Sequence, residues 1–572
     1  MFFSTLLRNI ACLFVAGLVL TSCAGQRSPD GGPIDTTPPV IVSTSPPNYT
    51  TRFNGNSLTI EFSEHVDHRT VEGAVFISPS LGTLEFDWSG RELEIGFSEK
   101  LRRSTTYVVT IGTDAADVNN HNKMVQAYTL AFSTGDDIDH GSIAGRVYSQ
   151  RDSESPLGVM VFAYRLHDSN ADTLNPTITK PDYVTQTGKN GEFALQHLSF
   201  GVYRVFAVRD EYKNLLYDPE VDDYGAAPSD IAVTPADTLR SDVWLKLAKE
   251  DTTAPRLIKV APTNQRHVLA EFSSAVDTSS LKSNWFRVAD TLNQSGLKVL
   301  SVYPDYPKMS SVMVVTDTQS SKAVYRFSVD SLRGANGLRV NPTANTLVFN
   351  SSEARDTLPL RIHSVSLADT SKEVELHPEF SLQFSDAVEK GSVEKAITLV
   401  DSSRNPIPIA FRWLSDASVE LTPTVSLASK TWYVCRVGVR GITDLFGKRG
   451  RDSLKVFRFQ TIDEELFSSI EGTVSDFDSA NRKGDLIVIA RNIAMHQSKD
   501  YQIRLEQDGP FALRAIVEGK YVLLCYRDRN GNKKYDSGLM RPYQPSERFV
   551  QYPDTLKVRA RWPLEGVELK LH

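Results

Sequence analysis

Phe62-Ser63-Glu64-His65-Val66-Asp67, Phe272-Ser273-Ser274-Ala275-Val276-Asp277 and Phe384-Ser385-Asp386-Ala387-Val388-Glu389 are three versions of one phrase within a chain of 572 residues. Each closes a stretch in which apolar residues alternate with polar ones: Leu58, Ile60 and Phe62; Val268, Ala270 and Phe272; Phe380, Leu382 and Phe384. Successive side chains of a strand point to opposite faces, so alternation with period two specifies a sheet with one face buried and one wet. A second strand, centred on Tyr107, Tyr325 or Tyr433, follows 45 to 53 residues after the closing phenylalanine. In the second and third copies it leads into a turn rich in Asp, Asn and Gly, Asp330 to Gly337 and Asp444 to Gly447, while copies one and three close on Phe132-Ser133-Thr134 and Phe459-Gln460-Thr461. The first two copies open on Asp35-Thr36-Thr37-Pro38-Pro39 and Asp251-Thr252-Thr253-Ala254-Pro255; the third shows no Asp-Thr-Thr-Pro entry.

A second repeat aligns without a gap over its core. Phe193-Ala194-Leu195 matches Phe511-Ala512-Leu513, Gly201-Val202-Tyr203 matches Gly519-Lys520-Tyr521, Arg209-Asp210 matches Arg527-Asp528, and Tyr217-Asp218 matches Tyr535-Asp536. Upstream, Ser142-Ile143-Ala144-Gly145 pairs with Ser469-Ile470-Glu471-Gly472. The copies end on Val243 to Leu247 and Val567 to Leu571. Repeats of this length each form a structural unit, and a chain this long exceeds the roughly 250 to 300 residues of a single hydrophobic core.

The first repeat resembles the bacterial Ig-like domain of S-layer and other surface proteins. The second resembles the carboxypeptidase regulatory-like, or transthyretin-like, β-sandwich, which in such relatives accompanies other domains and is rarely catalytic. The expected fold is therefore all-β, a tandem array of Ig-like and transthyretin-like β-sandwiches. Ig-like units are assigned to residues 35–139, 251–354 and 355–464, and regulatory-like units to 140–250 and 465–572. The arrangement is similar to lipid-anchored Ig-like-domain proteins of Gram-negative bacteria that begin with Cys, Gly-Gly-Pro and Asp-Thr-x-Pro-Pro, here Cys23, Gly31-Gly32-Pro33 and Asp35 to Pro39.

Residues 1–22 carry Arg8, the apolar run Ile10 to Leu20 and the small residues Thr21 and Ser22, the pattern of a signal peptide too short to span a membrane. Leu20-Thr21-Ser22-Cys23 is similar to a lipobox, which implies acylation of Cys23 and a lipidated tether over 23–34. Surface-exported lipoproteins of some Gram-negative groups carry an acidic cluster after the lipidated Cys. Ala24-Gly25-Gln26-Arg27-Ser28 has none, which favours the periplasmic face of the outer membrane over the cell surface. Besides Cys12 and Cys23 only Cys435 and Cys525 remain; they fall in different units and read as buried strand positions rather than a disulfide. A net charge of -7 argues against a nucleic-acid binder, which would need a basic stripe to neutralise phosphates.

Among candidate sites, Asp528-Arg529-Asn530-Gly531-Asn532-Lys533-Lys534-Tyr535-Asp536 places side-chain oxygens of Asp528, Asn530, Asn532 and Asp536 at positions 1, 3, 5 and 9, a pattern that can supply calcium ligands. Its Gly531 and Leu539 depart from an EF-hand, so the alternative is a hairpin loop whose side chains cap its own backbone. Asp210, Asn214 and Asp218 are the weaker version in the other copy. His65 and His68 beside Glu64 and Asp67 form a possible metal pair or a solvated turn. Trp88, Trp285, Trp413 and Trp432 are sugar platforms or core fillers. No Gly-x-Ser-x-Gly, His-Glu-x-x-His or phosphate-binding loop is present. The expected function is a non-enzymatic, lipid-anchored cell-envelope protein: a rod of five sandwiches serving as scaffold or adhesion module for a protein or glycan. The alternative is an envelope hydrolase with a carboxylate pair in an inter-domain cleft.

Overall fold

The computed structural model describes residues 35–151, 154–167, 171, 173–278, 281–493 and 500–572. The expected signal peptide, Cys23 and the tether lie outside the described residues. Among the described residues the chain forms five two-sheet sandwiches, each with its own apolar core. The all-β tandem architecture is thus the one the alternation predicts.

In the first unit, one sheet runs in the order Ile41–Ser45, Ser57–Phe62, Glu92–Phe97, Leu84–Ser89, and it faces Val75–Ser78, Thr106–Ile111 and Tyr128–Ser133. The third and fourth units repeat this order, with Leu257–Pro262, His267–Phe272, Ser311–Thr316, Val299–Pro304 and then Ile362–Val365, Phe380–Phe384, Ser418–Pro423, Ile409–Ser415. All nine alternating residues quoted above are buried. The tyrosines anchor the facing sheet by one device. Their hydroxyls accept the amide of the residue five positions earlier: Arg102 N to Tyr107 at 2.8 Å, Ser320 N to Tyr325 at 2.9 Å and Ala428 N to Tyr433 at 2.8 Å.

The fourth unit does have an entry segment. Val40 and Ser63 exchange two hydrogen bonds, as do Arg256 with Ser273 and Arg361 with Ser385, so Asp35, Asp251 and Asp356 stand at one position, five residues before Val40, Arg256 and Arg361. Asp356-Thr357-Leu358-Pro359 is that entry, obscured in the sequence because Leu358 replaces the second threonine. The polar turn assigned to copies two and three is also present in the first unit, at Asp117 to Asn122. His121 there adopts φ 54°, the left-handed conformation that Gly337 (φ 79°) and Gly447 (φ 82°) take in the others. The turn carries four Asp and Asn residues but lacks the glycine that marks it in the other two copies.

The two regulatory-like units share one topology. Gly141–Tyr148 lies between Glu192–Leu198 and the parallel strand Leu239–Lys246; Ser468–Asp476 lies between Gly509–Ile516 and the parallel strand Leu564–Leu571. Phe193 pairs with Gly145 and Phe511 with Gly472, so the repeat keeps one register. Tyr203 and Tyr521 donate to the carbonyls of Ser199 and Val517, four residues back in both.

The facing sheets behave differently from the Ig-like ones. Met160-Val161-Phe162-Ala163-Tyr164 is buried throughout: Val161 and Ala163 point into the sandwich core, Met160, Phe162 and Tyr164 into a second cluster outside it. In the fifth unit Leu486, Val488 and Ala490 face inward while Ile487, with Leu524, Tyr526 and Phe549, faces outward into another cluster. A strand covered on both sides reads as a continuous apolar run. The covers come from the partner unit: Met540 and Tyr543 of the fifth unit pack on the second, and Tyr148 and Trp244 of the second pack on the fifth.

This docking corrects the expectation of a rod. The fifth unit folds back onto the second, where Tyr224 Oη donates to the Gly538 carbonyl at 2.7 Å and the Arg204 guanidinium lies 3.6 Å from the centre of the Tyr543 ring. The third and fourth units also share an interface, with Tyr303, Val315, Ala387 and Ala417 at its centre and Ser301 Oγ donating to Asp416 at 2.7 Å. Units two to five therefore form a closed circuit. The first unit attaches to the second through Phe76, Val108 and hydrogen bonds such as Thr113 Oγ1 to the Thr187 carbonyl, 3.1 Å.

Opening this circuit is a direct check of the architecture. Trp244→Asp places a charge among Phe549, Tyr148 and their neighbours, where an unpaired ion costs far more than the lost contact. The full chain is expected to show an increased radius of gyration in small-angle scattering with its β-sheet circular dichroism retained. An unchanged radius would show that the two units do not hold each other in solution.

Candidate functional site

The Asp528 loop leaves the long strand Gly519–Asp528 and is organised by its own side chains. Asp528 Oδ1 accepts from the Gly531 and Asn532 amides at 2.7 and 3.2 Å, and Oδ2 from Lys533 N at 2.8 Å. Asn530 Oδ1 and Asn532 Oδ1 accept from Asn532 N and Lys534 N, and Asp536 Oδ2 accepts from both asparagine side chains at 2.6 and 3.1 Å. Any calcium ion bound by these four residues would compete for oxygens that now accept from the loop's own backbone and side-chain amides.

Glu547 belongs to this loop although nothing near it in sequence marks it. Its Oε1 accepts from Arg529 N at 2.7 Å and its Oε2 from Asp536 N at 3.2 Å, and burial foremost pushes its carboxyl above the ordinary range. In the second unit Asp222 makes the same two bonds, from Glu211 N at 3.1 Å and Asp218 N at 2.8 Å, around Asp210, Asn214 and Asp218. The two clamps sit at different distances along the chain, 12 and 19 residues after Asp210 and Asp528, which hid the equivalence in the alignment.

His68 lies flat on Trp88, with ring centres 4.0 Å apart and planes 5° from parallel, and Trp88 Nε1 donates to Glu72 at 2.9 Å. In the fourth unit Trp413 Nε1 reaches Glu394 at 3.3 Å under Lys390. Trp88, Trp285 and Trp413 are half-buried against their unit cores. Cys435 and Cys525 are buried free thiols, as expected, and burial pushes each up to about 12.

Two inter-unit clefts are the places where a hydrolase would carry paired carboxylates. The first, about 570 Å³ between units two and five, is lined by Arg146, Glu192, Asp242, Trp244, Glu568 and Lys570; Glu568 and Lys570 pair at 3.3 Å. The second, about 450 Å³ between units three and four, contains Asp356, Asp386, His267 and Lys448. Its carboxylates are both committed: Asp386 to His267 Nε2 at 2.9 Å and to Tyr303 Oη at 3.2 Å, Asp356 to Lys448.

The least expected charged group is Asp476, whose side chain is 0% exposed. Arg527 Nε and Nη2 reach its Oδ2 at 2.9 and 2.6 Å, and Arg548 Nη1 and Nη2 reach Oδ1 and Oδ2 at 2.7 and 3.0 Å. Three further guanidinium hydrogens go to the carbonyls of Arg482, Gly484 and Asn481. Burial alone would raise the Asp476 carboxyl, but the hydrogen bonds and charges of Arg548 and Arg527 overcome it and hold the group below the ordinary range.

These features define a multi-unit β-sandwich protein, and sequence comparison assigns part of it. Residues 35–134 and 356–461 match the family model of the bacterial Ig-like domain, so these two segments are bacterial Ig-like domains. No curated protein matches the chain. Among solved structures, the N-terminal part of the bacterial S-layer protein SbsC is similar at 11% identity over 36% of this chain and 44% of its own, with TM-score 0.17. The major pilin subunit BcpA of Bacillus cereus is similar at 10% identity over 76% and 99%, TM-score 0.15. An LD-transpeptidase in complex with imipenem is similar at 14% over 26% and 73%, TM-score 0.15. The chain spans less than half of the SbsC fragment, and likenesses at these TM-scores carry no argument about function.

Proposed function

We propose that this chain is a non-enzymatic cell-envelope protein, anchored by lipid at Cys23, that acts as a rigid scaffold or adhesion module for a protein or glycan. The observation that supports this most is the docking of the fifth unit onto the second. It gives a long chain of minimal sandwiches one fixed arrangement, which suits presentation of a surface more than chemistry in a cleft. The bacterial Ig-like domains point the same way, and the carboxylates of the cleft between units three and four are already engaged, Asp386 by the His267 ring and Asp356 by Lys448. A tether over 23–34 reaches at most about 40 Å, so the first unit stays near the membrane. The periplasmic face of the outer membrane is the placement favoured.

The anchor is tested by Cys23→Ser in the full-length protein. The lipid supplies about 0.8 kcal/mol per buried methylene, and among the described residues no helix is long and apolar enough to cross a membrane. The variant is expected in the soluble fraction, and an intact variant retained in membranes would refute lipid anchoring.

A further inference from the structure

The three Ig-like units can be superposed residue by residue around one corner. Val66 bridges Asp117, Val276 bridges Gly334 and Val388 bridges Asp444; the amides of Asp117, Gly334 and Asp444 donate to the carbonyls of Asn122, Leu338 and Lys448. Glu64, Ser274 and Asp386 each precede the residue whose carbonyl accepts the next amide of the turn, from Val118, Ala335 and Leu445. With the entry aspartates, four positions are thereby aligned: Asp35, Glu64, Asp117 and Asn122 in the first unit; Asp251, Ser274, Gly334 and Leu338 in the third; Asp356, Asp386, Asp444 and Lys448 in the fourth.

The carboxylates at these positions meet a cation in one copy and are reduced to one in another. The fourth unit has three carboxylates and seats the Lys448 ammonium between two of them, in contact with Asp356 and 3.6 Å from Asp444, while His267 of the third unit takes Asp386. The third unit has lost two of the carboxylates and the cation together. The first unit keeps all three carboxylates but has the neutral Asn122 where the fourth has its lysine. One oxygen each of Asp35, Glu64 and Asp117 lie within 4.8 Å of one another, and among the described residues no ion pair reaches any of them.

Asp117 is fully buried, and hydrogen bonds from Asn120 and Asn122 at 2.8 and 2.7 Å outweigh its burial, holding it ionised below the ordinary range. Burial, then the charges of Asp117 and Asp35, push Glu64 up. The fourth unit shows what this corner accepts, namely a cation.

We propose that the corner formed by Asp35, Glu64 and Asp117 binds a calcium ion in the seat that Lys448 fills in the fourth unit. The donors are all oxygen, which selects a hard cation over zinc or copper. They come from three separate segments in an irregular arrangement, which calcium tolerates and magnesium, with its octahedral demand and tightly held waters, does not. Bound there, the ion ties the entry segment at Asp35 to the sandwich, at the point where the tether joins the first unit.

The test is calorimetric titration of chelator-treated full-length protein with calcium chloride and magnesium chloride, with thermal melting alongside. Calcium is expected to bind and raise the melting of the first unit by mass action, with magnesium at least tenfold weaker. Asn122→Lys supplies the ammonium that Lys448 supplies in the fourth unit and is expected to abolish the calcium response. Glu64→Gln, a milder change, is expected to weaken it at least tenfold, and Asp528→Ala is expected to leave it unchanged. No heat of binding with calcium, or full binding in Asn122→Lys or Glu64→Gln, would overturn the proposal. So would loss of binding in Asp528→Ala with Asn122→Lys unaffected, which would move the ion to the fifth unit.

Discussion

Asp476→Ala is expected to destabilise the fifth unit by about 3–5 kcal/mol, the cost of leaving buried guanidinium groups without their counter-ion. Arg527 and Arg548 have 3% and 9% exposed side chains, and among the described residues no second carboxylate stands within hydrogen-bonding distance of either guanidinium. Asp478 is nearest, 3.9 Å from Arg548 Nε. The loss can be read by thiol labelling. Cys525 lies in the fifth unit and Cys435 in the fourth, and both are closed to reagent in the native state. Labelling of Cys525 under native conditions is expected to accelerate by about two to three orders of magnitude, since each 1.4 kcal/mol is tenfold, while Cys435 keeps its rate. Equal acceleration at both would mean that the units unfold as one.

The same network carries a pH dependence whose sign follows from the direction of the Asp476 shift. Its folded carboxyl is held below the unfolded value of about 3.9, so its contribution is complete above that pH and is lost as pH falls through the lower folded value. The difference between wild type and Asp476→Ala is therefore expected to be constant near neutrality and to shrink only in strong acid.

Gly472→Ala is the second change expected to have a large effect, about 3 kcal/mol or more. A Cβ at Gly472 would stand 2.0 Å from the Val567 carbonyl oxygen and 2.8 Å from its carbon, both main-chain atoms of the adjacent parallel strand. Backbone cannot yield as a flexible side-chain end does, so the strand Leu564–Leu571 must separate from its neighbour or shift register. Overpacking of ordinary cores costs about 1–3 kcal/mol, and this contact is closer than those. Limited proteolysis is expected to release the C-terminal strand, with Cys525 exposed as above. Gly296→Ala is the control, since its Cβ would meet only the Val288 carbonyl at 3.8 Å; melting of that variant within a degree or two of wild type is expected. Gly145 makes the same approach to Val243, at 1.9 Å, so the second unit should respond alike.

The two repeats, their strand register and the buried thiols were readable from the chain because each rests on short-range pattern. Leu58, Ile60 and Phe62 alternate whatever lies across the sheet, and Phe193 and Phe511 keep equal spacing to their glycines because a slip of one residue would turn the core face to solvent. The Asp528 turn was legible for the same reason, as its side chains bond to amides within five residues.

What the tertiary structure alone decided depends on residues far apart in sequence. Asp476 meets Arg548 across 72 positions, Tyr224 meets Gly538 across 314, and His267 meets Asp386 across 119. The apolar runs Met160 to Tyr164 and Leu486 to Ala490 are explained by cover on both faces of those sheets, but a run cannot say by what. That cover, each regulatory-like unit by the other, turns a linear array into a closed one. The physical reason is that apolar burial has no direction in sequence: the run fixes that a surface leaves water, and only the folded chain fixes which surface it leaves water against.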